Sequence, residues 1–221
     1  MKRQKREQRC YSIFNPSRLV LIFVVTSLVG NLMETLFCGW ITGEWGSRQG
    51  VLYGPFSPIY GAGAVLMLIT FPLSHRSFLL HAGVGGILGG GFEVLCSLLQ
   101  SEVFGSASWN YAYMEMGIPL FGGRTSVLFM VLWGLATVFW VRWGYPKLNR
   151  LLSKLPLRAM QVTALLAAVF MAANITVSGL ALKRWSERLE EHPADSRLAV
   201  FLDRHYPDSR MRDVFSNMMF L

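Results

Sequence analysis

The chain has 221 residues, 52% of them hydrophobic and 15% charged, with a formal net charge of +8. A soluble domain carries about a quarter charged residues, and this much apolar material excludes intrinsic disorder. Three cysteines exclude a disulfide-stapled scaffold, and basic residues gathered at the ends of apolar runs, forming no stripe, exclude a nucleic-acid partner.

An N-terminal arm over 1–18 comes first and holds Lys2, Arg3, Lys5, Arg6, Arg9 and Arg18. Helical spans need about 20 mostly apolar residues to cross the hydrocarbon core, and five are expected: 19–41, 56–73, 78–99, 126–143 and 160–182. The first is too long for a signal-peptide core, contains Glu34 and precedes no small-x-small cleavage site, so it is expected to stay in the mature protein. Phe37 spoils the faint lipoprotein box Leu36-Phe37-Cys38-Gly39. Pro55 and Pro58 open the second span under two readings: early-turn prolines that need no donor, or a broken start whose freed backbone groups face a cavity. Gly83, Gly85, Gly86, Gly89, Gly90 and Gly91 crowd the third span; in lipid such glycines form a close-packing face. The tail over 183–221 carries seven basic and seven acidic residues. Short helices started by Asp195 or Ser196 and by Pro207 would expose one apolar side each, making a small amphipathic cap on the bundle or the membrane surface. The fold class is therefore all-α: a polytopic transmembrane bundle over 19–182 with a helical cap.

Lysine and arginine set orientation. The arm, Arg76, and the group Arg142, Lys147, Arg150, Lys154 and Arg158 share one side of a five-span chain, against only Arg48 and Arg124 opposite. The N-terminus is expected in the cytoplasm; five spans then place the tail outside, and an even span count would reverse it.

Gly30 and Glu34 repeat the spacing of Gly89 and Glu93, and Cys38 and Cys96 follow, each expected as a buried small hydrophobe. A duplication would produce this; so would coincidence, which the unequal loop lengths favour. A real repeat would place a site at the repeat interface.

Charges inside spans cost about 2.5–3.5 kcal/mol each on insertion scales, so they need a reason. Glu34 and Glu93 lie at similar depths, with Arg48, Glu102 and Arg124 near the same outer boundary. Either the arginines neutralise the glutamates in register-fixing ion pairs, or the five line a hydrated pocket for a polar substrate or protons. Tyr60, Trp109 and Tyr111 share that boundary, as an aromatic belt or as stacking surfaces for a ligand. No cofactor or metal is expected: His75, His81, His192 and His205 lack ligand spacing with any cysteine, and no phosphate-binding loop is present.

The stretch Ser47-Arg48-Gln49-Gly50-Val51-Leu52-Tyr53-Gly54-Pro55-Phe56-Ser57-Pro58-Ile59-Tyr60-Gly61 resembles the R-G-x-L-x-G-P-x-x-P-I-Y-G signature of the CmpB-type, or type IV, ABC-transporter permease family. The resemblance takes in Gly30 and Glu34 upstream, and Glu93, Glu102, Phe104, Trp109, Tyr111, Gly123, Arg124, Trp133 and Gly134 downstream, over about 20–145. Asn110 stands where the family usually has Asp, and Leu120 where it has an asparagine. The resemblance implies a multi-pass protein of a bacterial plasma membrane, a transport role and a separate ATPase subunit as partner beside the lipid bilayer. The site expected from these residues is Glu34, Arg48, Glu93, Glu102, Arg124, Tyr60, Trp109 and Tyr111, in a transporter or permease component. An intramembrane enzyme on a lipid-linked substrate and a non-catalytic assembly subunit are the alternatives.

Overall fold

The computed structural model describes residues 15–43, 45–71, 77–113 and 117–221. Lys2, Arg3, Lys5, Arg6 and Arg9 of the basic arm, His75, Arg76 and the last two residues of the expected second span lie outside them. The described residues form α1 (Pro16–Thr42), α2 (Pro58–Thr70), α3 (Phe78–Phe104), α4 (Val127–Leu152), α5 (Leu157–Leu189), α6 (Arg197–His205) and α7 (Asp208–Val214). Four two-residue strands join them: β1 (Ser106–Ala107), β2 (Pro119–Leu120), β3 (Thr125–Ser126) and β4 (Met219–Phe220). Local chemistry sets the helix ends. Asn15, Ser77, Ser126 and Ser196 accept backbone N–H groups at four N-termini, while Gly43 and Gly105 close α1 and α3 in the left-handed conformation. Pro146 has no N–H to give, and α4 widens into a π-turn just before it, over Trp140–Gly144.

Helices α1, α3, α4 and α5 are long and apolar enough to cross a membrane. Their outward faces carry exposed large side chains such as Leu79, Ile87, Leu165 and Leu166, a surface that water does not tolerate over such an area. Of the five expected spans, the second is not among the described helices of membrane length and differs from the uniform helix expected over 56–73. At 13 residues, α2 is about 20 Å long, two thirds of the hydrocarbon thickness of about 30 Å. It starts halfway up α1, where Ser57 N donates to the Ser27 carbonyl at 3.1 Å and the Tyr60 ring covers Gly30. Residues 45–57, without regular structure, run from the top of α1 to that point.

At one end Arg18 donates to Asn149 at 2.6 Å, and Leu21, Ile22, Leu68, Leu152 and Met160 pack together; this basic end holds the turn between α4 and α5. At the other, Leu52, Leu182 and Trp185 pack against Leu202, Met211 and Phe215 of the cap. The cap thus sits on the bundle at the end of the 45–57 segment. Arg184, 5% exposed, grips Asp203 with Nε and Nη2 at 2.9 and 3.0 Å, and Arg188 bridges Asp203 and Asp208. Burial and the Tyr53 hydroxyl, 2.7 Å away, push the Tyr206 phenol up to about 12. β4 returns to pair antiparallel with β1, Ser106 opposite Phe220.

The G-x-x-x-E echo is a packing duplication. Tyr60 covers Gly30, and Gly61 lies on the Phe23 carbonyl; Trp133 covers Gly89, and Gly134 lies on the Ala82 carbonyl. Positions 23, 30 and 34 of α1 therefore reappear as 82, 89 and 93 of α3, each set met by an aromatic-glycine pair on the next helix.

Alanine at Gly61 or Gly134 drives a methyl into a backbone carbonyl, and each change should lower stability by about 1–3 kcal/mol. Gly91→Ala, with nothing within 4 Å of its added methyl, should be neutral or gain up to about 1 kcal/mol; thermal unfolding in detergent distinguishes the two sets. The Arg184 guanidinium, with Arg188, holds the Asp203 carboxyl below its ordinary range. That stabilisation is complete above the unfolded value of about 3.9 and is lost as pH falls through the lower folded one. Protease cutting between α6 and α7 should accelerate below about pH 4, and Asp203→Asn should weaken the cap by about 2–3 kcal/mol at neutral pH.

Candidate functional site

Non-helical backbone at membrane depth survives only where its polar groups are met by protein. In the 45–57 segment α5 meets them. The Asn174 side chain accepts from Tyr53 N at 3.1 Å and donates to the Tyr53 carbonyl at 2.7 Å, and Ser178 Oγ accepts from Leu52 N at 2.8 Å. Both polar residues are at most 3% exposed. Gly50 N reaches the Phe56 carbonyl, and Gly54, at φ 79°, makes the bend that a side chain would strain. Pro58 stands in the first turn of α2, as the early-turn reading has it; the lead-in is broken as in the other reading, but its freed backbone groups meet α5 and not a cavity.

Glu93 is 5% exposed. Its Oε1 accepts from the Tyr111 hydroxyl at 2.6 Å and its Oε2 from Thr125 at 2.8 Å, with the Trp133 indole as a further polar neighbour. Tyr111 is set by its stack on Phe129, 4.1 Å between centroids, and by its backbone bond to Gly123. Burial and the adjacent carboxylate push its phenol far above the ordinary value, so the hydroxyl remains a proton donor. Glu34 is half-buried, with the Tyr60 hydroxyl beside it and the Arg48 charge farther off. Tyr60 and Trp133 stack on each other at 6.4 Å, and Glu34 and Glu93 lie within electrostatic reach across that stack. In each pair the ring covering the glycine turns its polar atom toward the glutamate one turn later.

The remaining expected residues sit elsewhere. Arg124 donates to Ser97 and Ser101 at 3.0 and 3.1 Å, and its carbonyl accepts from Trp109 Nε1 at 2.9 Å; its guanidinium is met by hydroxyls of α3. Glu102, one position past Ser101, is exposed. Cys38 and Cys96, expected as buried, are half-buried. Arg48 lines a cavity of about 320 Å³ at the cap end, walled by Trp109 and Asn110 from the loop after α3 and by Ser216 and Asn217 before β4. The wall is fixed by Ser216 donating to the Ser47 carbonyl at 2.7 Å and Asn217 to the Ser108 carbonyl at 2.9 Å.

Sequence reasoning missed Asn174, Ser178, Thr125, Ser97 and Ser101. Asn174 and Ser178 carried a readable sign: two polar residues one turn apart within an apolar span, hence on one face.

No curated protein and no solved structure matches the chain. A family model described as "Putative ABC-transporter type IV" matches residues 21–179, which include all four membrane-length helices in whole or part, the broken second crossing, both glutamates and the Asn174–Ser178 clamp. This multi-pass membrane protein belongs to that ABC-transporter type IV family.

Proposed function

We propose that the chain is the permease component of a transporter, with a polar site around Glu34 and Glu93. The observation supporting this most is the duplicated placement of the two carboxylates, one on each helix pair, flanking the Tyr60–Trp133 stack. A carboxylate inside a span is costly unless it is used or fully paired, and a site between two parallel repeats is where transporter architecture binds its cargo or coupling ion. Glu34, half-buried with a single phenol close by, takes a cation or proton; Glu93, with Tyr111 and Thr125 on its two oxygens, is its more firmly held counterpart. Tyr60 links the pair, and Trp109 and Arg48 stand toward the cap-end opening.

In this reading the basic end, with Arg18, Lys147, Arg150, Lys154 and Arg158, faces the cytoplasm of a bacterium, and the cap faces outward. A separate ATPase docks at the basic end, because this chain contains no phosphate-binding loop for hydrolysing ATP itself.

Glu34→Gln and Glu93→Gln, made singly, test the site. Liposomes holding the purified protein and a pH-sensitive dye should take up protons after an acid pulse, and each variant should lose most of that uptake while keeping the parent unfolding temperature. Unchanged uptake with lost stability would identify the carboxylates as assembly residues. Turnover of a lipid-linked substrate by the purified protein alone would replace the permease reading with an enzymatic one.

A further inference from the structure

We infer that the cap-end cavity is a binding site for a small organic anion, held by Arg48 against Trp109. Four observations lead there. Arg48 lines the cavity and its Nε has no hydrogen-bond partner, so no protein acceptor fixes that edge of the guanidinium. Arg124, the other arginine of these loops, already spends Nη1 on Ser97 and Ser101. Arg48 is the single charged residue among the described ones lining the cavity. Asn110 adds a donor: its Oδ1 accepts from Ala112 N at 3.0 Å, which turns the amide to leave Nδ2 available.

Size and shape restrict the ligand further. A cavity of about 320 Å³ lies at the lower limit of small-molecule pockets, about 300–1,000 Å³; a bare inorganic ion would leave most of it unfilled. Trp109 has its Nε1 tied to the Arg124 carbonyl, so what it offers a ligand is a fixed ring, suited to a flat or apolar body. The ligand is thus amphiphilic: one carboxylate or phosphate group for the guanidinium and an apolar part for the indole. Ser216 and Asn217 complete the enclosure from the C-terminal side. Such a group arrives either on a dissolved molecule or on the headgroup of an anionic lipid. As a cargo site the cavity rests on the permease reading; as a binding site it does not, and equilibrium binding is measured without transport.

The test uses the full chain in phosphatidylcholine nanodiscs, titrated calorimetrically with 1-naphthyl phosphate, 1-naphthoate and neutral 1-naphthylmethanol. Both anions should bind at one site and the neutral compound should not. Arg48→Gln should weaken the anions by about ten- to a hundredfold, Arg48→Lys should recover part of that loss, and Lys147→Gln, the same charge change at the basic end, should have no effect. In phosphatidylglycerol discs, displacement of the probes would assign the site to a lipid headgroup and undiminished binding to a dissolved anion; either result upholds it. Neutral and anionic probes binding alike, or Arg48→Gln binding like the parent, would overturn it. The comparison of probes needs no variant, so a misfolded Arg48→Gln would still leave the question decided.

Discussion

A carboxamide on one helix holds a stretch of bare backbone inside the bundle, and the rest of the architecture follows from that contact. Asn174 presents one acceptor and one donor to the same residue, Tyr53, as a neighbouring β-strand would. Hydrocarbon offers no water to do the same, so without this contact the 45–57 segment would have to become helical or leave the membrane. Gly54, Pro55 and Pro58 close off the helical option. With Asn174, Ser178 and the Ser27 carbonyl meeting its polar groups, the segment delivers Tyr60 to Gly30 at half-height. The same path carries Arg48 to the edge of the cap-end cavity.

The two glutamates show how one packing unit, used twice, can yield unequal groups. Each lies one turn beyond a glycine roofed by an aromatic ring. Around Glu93 the β2–β3 hairpin and the loop before it add Thr125 and Tyr111, and both carboxylate oxygens are bonded. Around Glu34 the corresponding region is the broken crossing, which supplies one phenol and a distant guanidinium. The loops that differ in length between the halves thus set the difference in chemistry. Serines of α3, and not a glutamate, meet Arg124, while the Arg48 charge acts on Glu34 from farther off.

Much of this was legible in the sequence because lipid simplifies the rules. Hydropathy located the long helices, Gly85, Gly86, Gly89 and Gly90 marked the α3–α4 contact while Gly83 and Gly91 face open space, and Ser196 marked the start of the first cap helix. The family signature around Arg48–Gly61 pointed to the group that the chain belongs to. The second crossing was harder, since a window of apolar residues cannot tell 13 helical residues plus an extended lead-in from one continuous helix. The β1–β4 pairing was out of reach: strands two residues long have no periodicity, and their partners lie at distant points of the chain. The serines that take Arg124 were equally hidden, because a hydroxyl in a helix gives no sign of which cation will find it.

Contacts within the α1–α2 and α3–α4 pairs are far denser than those between α2 and α3. Glycine against carbonyl leaves no slack, so each pair behaves as a stiff plate. The seam between the plates is made of flat rings, Tyr60 on Trp133, with Trp140 Nε1 donating to the Ala64 carbonyl at 2.9 Å as a tether lower down. Aromatic faces slide over one another at little cost, whereas interlocked glycines cannot. Rocking about that tether would therefore change the separation of the two carboxylates while leaving the inside of each plate unaltered.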